Sequence, residues 1–141
     1  MAGKRSAQSR RSGCPLNASV EMLGDRWSLL IIRDMMVRGY RTFKEFLSSD
    51  EHIATNILAD RLRRLEGYGI ITAEPDPSDG RKLFYHLTPK GMDLAPVLTE
   101  MVLWAAAHED TGNKALVRLI KKDKAKFLAE VRNRLTLPSA K

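Results

Sequence analysis

Apolar and polar residues change their spacing twice along this chain. From Pro15 to Leu23 the apolar positions Leu16, Val20 and Leu23 recur at helical steps. Pro15 suits a first helical position, where its missing N–H is no loss, and Gly24 is the stop. A second helix is predicted from Asp25 or Arg26 to about Arg38, with Trp27, Leu30, Ile31 and Met35 on its buried face and Gly39 ending it. Thr42-Phe43-Lys44-Glu45 has the form of a capping box, so a short helix should run from there to about Leu47. After a turn over Ser48–His52, Leu58, Leu62 and Leu65 form the inward stripe of a helix from about Ala54 to Glu66. At ~100° per residue, Asn56, Asp60 and Arg63 project opposite that stripe, with Arg64 flanking.

Beyond Gly69 the period becomes that of strands. Ile70–Glu74 and Lys82–Leu87 read as a pair, and the turn formers Pro75-Asp76-Pro77-Ser78-Asp79-Gly80 between them predict a hairpin. Thr88-Pro89 looks like a cap and a first-turn proline, opening one long helix to about His108. Leu94, Val97, Leu98, Met101, Val102, Trp104 and Ala105 cover more than one side of it, so part of its surface is expected against a second subunit. Leu116, Leu119, Ile120, Phe127, Leu128, Val131 and Leu135, set among lysines, suggest one or two amphipathic helices broken at Asp123.

The charge is distributed unevenly. The 141 residues hold 24 Lys and Arg against 17 Asp and Glu, a net +7. Residues 1–13 carry four bases (Lys4, Arg5, Arg10, Arg11) and no acid, and have no periodicity, so they read as a disordered basic arm. Residues 112–141 carry nine bases and two acids, which makes them a basic helical extension. The centre, 14–111, holds 11 bases and 15 acids. Such basicity suggests a polyanionic partner, but a central module that touched nucleic acid would have to gather its few bases on one face.

The element order therefore predicts a mainly α fold with a small β-hairpin. Thr42–Glu66 forms a helix-turn-helix, the hairpin is its wing, and a long dimerisation helix follows. In such a fold the second helix of the motif enters the DNA major groove with its N-terminal residues against base edges. Thr55 and Asn56 stand there. Asn suits a bidentate pair with adenine, and Thr can exchange hydrogen bonds or present its methyl to thymine. Asp60 shares the outer face, while Arg61 and Arg64 lie further along, towards phosphate or a guanine at the groove edge. Thr42 and Lys44 are assigned to the DNA backbone. At the wing, Gly80, Arg81 and Lys82 put two cations on a tight turn, and Arg81 is a candidate for a narrow minor groove.

The same residues carry a resemblance. Cys14-Pro15, Gly24-Asp25-Arg26-Trp27-Ser28-Leu29-Leu30-Ile31-Ile32, Thr42-Phe43, Ile53-Ala54 with Leu58, Arg61-Leu62, Leu65-Glu66 and Gly69-Ile70-Ile71, then Tyr85-His86-Leu87-Thr88-Pro89-Lys90-Gly91, Trp104 and His108, resemble the HxlR family of bacterial transcriptional regulators. The resemblance covers about residues 14–109. It implies a cytoplasmic homodimer on a roughly palindromic operator in double-stranded DNA, acting as a repressor rather than an activator, with the dimer built from the first helix and the long helix after Lys90. Two positions depart from the family. Ala54 stands where a capping Ser is usual, leaving Thr55 as the candidate cap, and the wing is longer, similar to that of MarR-type regulators.

In some relatives a cysteine at the place of Cys14 senses oxidants or electrophiles. A helix N-terminus beside Arg10 and Arg11 would independently favour a thiolate there. With one cysteine in the chain, oxidation leads to an intersubunit disulfide, a mixed disulfide or a sulfenic acid. The competing reading is an inert small residue at a subunit contact, with a small ligand rather than a thiol carrying any response. His52, His86 and His108 lack metal-ligand spacing, and no phosphate-cradling glycine loop, carboxylate pair or nucleophile with an evident base stands out, so no metal, cofactor or enzymatic activity is expected. No apolar run reaches the ~20 residues of a membrane span, and the N-terminus lacks a secretory apolar core. The rival from another class is a winged helix turned protein- or RNA-interaction module, which the acidic centre keeps open.

Overall fold

The computed structural model describes residues 10–136. Most of the basic arm, with Lys4 and Arg5, and the end of the extension, with Lys141, lie outside the described residues. The packing divides the chain after Thr88 into two compact units.

The first unit is a winged helix-turn-helix. Helix α1 spans Pro15–Leu23 with Pro15 in its first turn and Cys14 as N-cap. Only its Leu23 is buried, while Leu16 and Val20 are 70% and 54% exposed. Gly24 closes α1 because a Cβ there would sit 2.4 Å from the Val20 carbonyl oxygen. Helix α2 begins later than its apolar spacing suggests, at Ser28, and runs to Arg33. The reason is Asp25, whose carboxylate accepts the N–H groups of Trp27 (2.8 Å) and Ser28 (2.9 Å) and so ends the preceding loop. A π-helical turn, Asp34–Arg38, continues α2 and stops at Gly39, which takes a left-handed φ of 69°.

Helix α3, Phe43–Leu47, starts at the capping box foreseen from sequence: Thr42 accepts from the Glu45 N–H, and Glu45 reaches back to the Thr42 N–H. Helix α4 spans Thr55–Gly67 and buries Leu58, Leu62 and Leu65. Ile31, Ile32, Met35, Met36, Phe46, Ile53, Ile70 and Ile71 are the other main buried apolar residues of this unit. Phe46 lies edge-on to Tyr40 and Tyr85, with centroids 6.4 and 6.1 Å away. Strands β1 (Ile71–Asp76) and β2 (Asp79–Leu87) pair antiparallel from Ile71↔Leu87 to Pro75↔Leu83. The Tyr85 N–H also donates to the Arg41 carbonyl, 2.8 Å away, which fastens the hairpin to the segment leading into α3.

In the second unit the expected single long helix is two: α5, Pro89–Met92, and α6, Ala95–His108. Pro96 explains the break. Inside a continuous helix its ring would clash with the Met92 carbonyl and one backbone hydrogen bond would be lost. A restart at Ala95 puts Pro96 in a first turn, where neither matters. Helices α7 (Lys114–Lys122) and α8 (Lys124–Thr136) follow, separated at Asp123 as the pattern foretold. Asp123 accepts from the Lys126 N–H at 3.0 Å and so caps α8. Ala95, Thr99, Ile120 and Val131 are the buried centre of this unit. No described helix is long and apolar enough to cross a membrane.

Candidate nucleic-acid interface

The outward face of α4 is what the burial of its leucine stripe leaves over. Thr55 and Asn56 stand exposed at its first turn, and their side chains make no hydrogen bond among the described residues. Ala54 is the N-cap and offers no side-chain bond, and Thr55 is already helical. Thr55 therefore does not replace the missing cap: a capping residue needs extended backbone, which belongs here to Ala54. The N–H groups at this end of α4 are left without a side-chain cap, as the approach of an anion requires.

Further along, the charged residues part company. Arg63 is 76% exposed, 3.9 Å from Asp60. Arg64 is exposed on the adjoining side. Arg61 points elsewhere: its side chain is 19% exposed, and its guanidinium donates to Asp25 at 3.1 Å and pairs with Asp60. The structure thus places Arg61 in a bridge between the middle of α4 and the start of α2, not on the open face with Asn56. Asp60 flanks that bridge and holds both arginines beside it. Thr42 is equally engaged, its hydroxyl donating to Glu45 at 3.0 Å while accepting from the Glu45 N–H at 3.2 Å. Lys44, two positions along, is exposed.

The wing differs from its expected shape. The strands extend to Asp76 and Asp79, so the tip is Pro77-Ser78, and Asp76 caps it by accepting from the Ser78 N–H at 2.8 Å. Gly80, Arg81 and Lys82 are not on the turn. They fall in an irregularity of β2, between Asp79, paired to Asp76, and Leu83, paired to Pro75. Pro75 has no N–H to give the ladder, which favours a bulge at that point. Arg81 is 93% exposed, with its Nε 3.2 Å from Asp79, and Lys82 is exposed.

Two polar networks that local sequence patterns do not reveal hold the motif in shape. Asp25 accepts from the Ser28 hydroxyl at 2.6 Å besides the two backbone N–H groups and Arg61. Burial works against its ionisation, but the Ser28 hydroxyl, the two N–H groups and Arg61 outweigh it and hold the carboxyl below its ordinary range. Arg33 makes a bidentate pair with Glu51 at 2.8 Å through each nitrogen and also contacts Asp34. Asp34, 3% exposed, accepts from the Ser49 hydroxyl. The Arg33 hydrogen bonds drop the Glu51 carboxyl to about 2. These bonds fasten α2 and its π turn to the turn between α3 and α4. Arg33 and Glu51 lie 18 residues apart, so no short-range signal could have joined them. The Asp25-x-x-Ser28 spacing at a helix start was a usable signal.

Cys14 is exposed at the N-terminus of α1. Its thiol is lowered from the ordinary value by the backbone N–H groups of Asn17 and Leu16 in the first turn. Neighbouring arginines are not among the causes. Among the described residues no trio of His, Cys, Asp or Glu is grouped to hold a metal ion.

The sequence pattern of the HxlR-like helix-turn-helix family matches residues 22–113. The chain is 34% identical over 88 residues to the uncharacterized HTH-type transcriptional regulator sll1512 of Synechocystis, a match covering 62% of this chain and 64%, a little under two thirds, of that protein. It is 38% identical over 101 residues to the HTH-type transcriptional regulator YodB of Bacillus subtilis, covering 71% of this chain and 89% of YodB. The reduced form of YodB superposes with a TM-score of 0.57 at 35% identity, over 71% of this chain and 98% of that one. The redox regulator HypR in its oxidized form gives 0.61 at 28% identity, over 70% and 100%. Structures of YodB also include diamide-treated and quinone-bound forms.

Proposed function

Since this chain belongs to the HxlR-like helix-turn-helix family, we propose that it binds a palindromic operator as a homodimer and represses transcription, with Cys14 as its redox- or electrophile-responsive group. The observation that carries the reading is the face of α4. Its leucines are all spent on the core, while Thr55 and Asn56 stand exposed at an end that no side chain caps. In this reading Asn56 and Thr55 meet base edges. Lys44, Arg63, Arg64 and, at the wing, Arg81 and Lys82 meet phosphates. Arg61 and Thr42 act indirectly, by holding α4 and α3 in place.

Two exposed apolar surfaces support the dimer. One is Leu16 and Val20 on α1. The other is a hollow on α6 of about 560 Å³, lined by Pro96, Val97, Glu100, Met101 and Trp104. Trp104 is 67% exposed, which in a monomer would leave a large ring in water. The redox role of Cys14 is supported by its exposed, lowered thiol at a helix N-terminus and by redox regulation in the similar proteins.

Selection of bound sites from random duplex DNA, followed by binding to the selected and a scrambled site, tests the assignment. Asn56→Ala should relax preference at one base position per half-site by ~1–3 kcal/mol. Lys82→Ala should weaken selected and scrambled sites alike and lower the salt slope. Equal behaviour of the two variants on both sites refutes this division of roles. Failure of the wild type to select any site would favour an interaction module instead.

A further inference from the structure

The extension beyond residue 113, which the family pattern does not reach, carries a surface of its own. Helix α7 separates its faces sharply. At ~100° per residue, Lys114, Arg118 and Lys121 fall within about 60° of one another, with Lys122 adjacent and Val117 bordering the row, while Leu116 and Ile120 occupy the other side. Ile120 is 1% exposed, which fixes the apolar side inward. Lys114, Arg118 and Lys121 therefore face out together, and they line a hollow of about 250 Å³ with Thr111, Gly112 and Glu109.

The cations of this unit are not all available. Lys124 is paired with Glu100, and Arg132 with Asp93. Lys114, Arg118, Lys121 and Lys122 have no ion pair among the described residues, and all four are exposed. Three like charges along ~10 Å of one helix repel each other unless an anion lies over them. Duplex DNA presents one phosphate charge per ~1.7 Å of its axis, so a partner of that density meets the whole row at once.

The need for such a row follows from the rest of the chain. Residues 14–111 hold 11 bases and 15 acids, and Arg33, Arg38 and Arg61 are taken up in ion pairs. A DNA-binding module with a net negative charge repels its own ligand at a distance. We propose that the outer face of α7 is a second DNA contact, in which Lys114, Arg118 and Lys121 neutralise backbone phosphates without reading sequence. The inference rests on the operator-binding reading. It assigns a further electrostatic share of affinity to the extension, beyond that of the wing and α4, and leaves base preference to α4.

The test is the triple variant Lys114→Gln, Arg118→Gln, Lys121→Gln, compared with the wild-type chain on a selected operator and a scrambled duplex from 50 to 200 mM salt. Each contacting cation carries ~0.9 of the log–log salt slope, so six across a dimer carry up to ~5. The expected result is a slope lower by at least ~2, with the ratio of selected to scrambled affinity unchanged. Helical circular dichroism and solution mass should match the wild type, and Lys114→Arg with Lys121→Arg should keep the original slope. An unchanged slope overturns the proposal while leaving operator binding intact. A variant that alters the solution mass but not the slope also overturns it, and assigns the face to a second copy of the chain. If the wild type shows no operator preference, the operator reading fails, yet the slope on scrambled DNA still decides the role of α7.

Discussion

Replacing Asp25 tests whether α4 is held in its observed attitude by charge. One carboxylate serves both ends of the bridge: two backbone N–H groups and a hydroxyl at the start of α2, and the Arg61 guanidinium on α4. Asp25→Ala removes a helix-start acceptor, which costs ~1 kcal/mol, and a charge-assisted hydrogen bond, which costs ~1.5–3 kcal/mol when well made. The side chains of Asp25 and Arg61 are 18% and 19% exposed, so solvent relieves some of that second cost. The Ser28 hydroxyl, on a residue 1% exposed, is left without its partner. Together these give a destabilisation of ~2–4 kcal/mol. Asp25→Asn keeps acceptors for the N–H groups and loses the charge, so ~1–2 kcal/mol is expected.

The measurement is urea unfolding followed by far-ultraviolet circular dichroism, at one fixed protein concentration because subunit assembly adds to apparent stability. With a slope of ~1.5–2 kcal/mol per molar urea, Asp25→Ala should lower the midpoint by ~1–2.7 M. The decisive comparison is the cycle Asp25→Asn, Arg61→Gln and the double variant. A coupling of ~1 kcal/mol or more is expected, because neither partner has its full value alone. Coupling below ~0.3 kcal/mol would mean that Arg61 gains nothing from Asp25. The claim that α4 is positioned through this bridge would then be wrong.

Three other outcomes follow from the same geometry. The Glu51 carboxyl is depressed to about 2 in the folded chain, so its pairing with Arg33 stabilises fully above the ordinary carboxylate value and is lost as pH falls from ~4.5 towards 2; Glu51→Gln should flatten that part of a stability-against-pH profile, and an unaltered profile counts against the pair. Wild-type chain treated with diamide should change its operator affinity while Cys14→Ser does not, and a wild type indifferent to diamide removes Cys14 from regulation. Trp104→Glu, on the exposed face of α6, should halve the mass seen by light scattering, and an unaltered mass would move the subunit contact elsewhere.

What the sequence made legible and what it hid divide along the range of the interactions. The capping box at Thr42, the leucine stripe of α4, Gly39 and the break at Asp123 are each written within a few residues, and all appear as read. Those local signals suffice for the helix-turn-helix and its wing, because each element buries a face that its own period defines. The structure departs from the local pattern where a local signal has a competitor. Pro96 divides a helix whose apolar run argued for continuity. Asp25 captures two N–H groups that could otherwise have begun α2 earlier. Pro75 moves Arg81 and Lys82 off the wing tip into a bulge. The site is less legible than the fold because a cation's surroundings depend on its partner, and partners are set by packing. Spacing along α4 places Arg61 beside Arg64 as an equal, yet an acid 36 positions earlier claims Arg61 for the scaffold. What the spacing leaves open is thus decided by subtraction: the charges that the fold itself does not pair, Lys44 and Arg64 among them, are the ones that stay exposed.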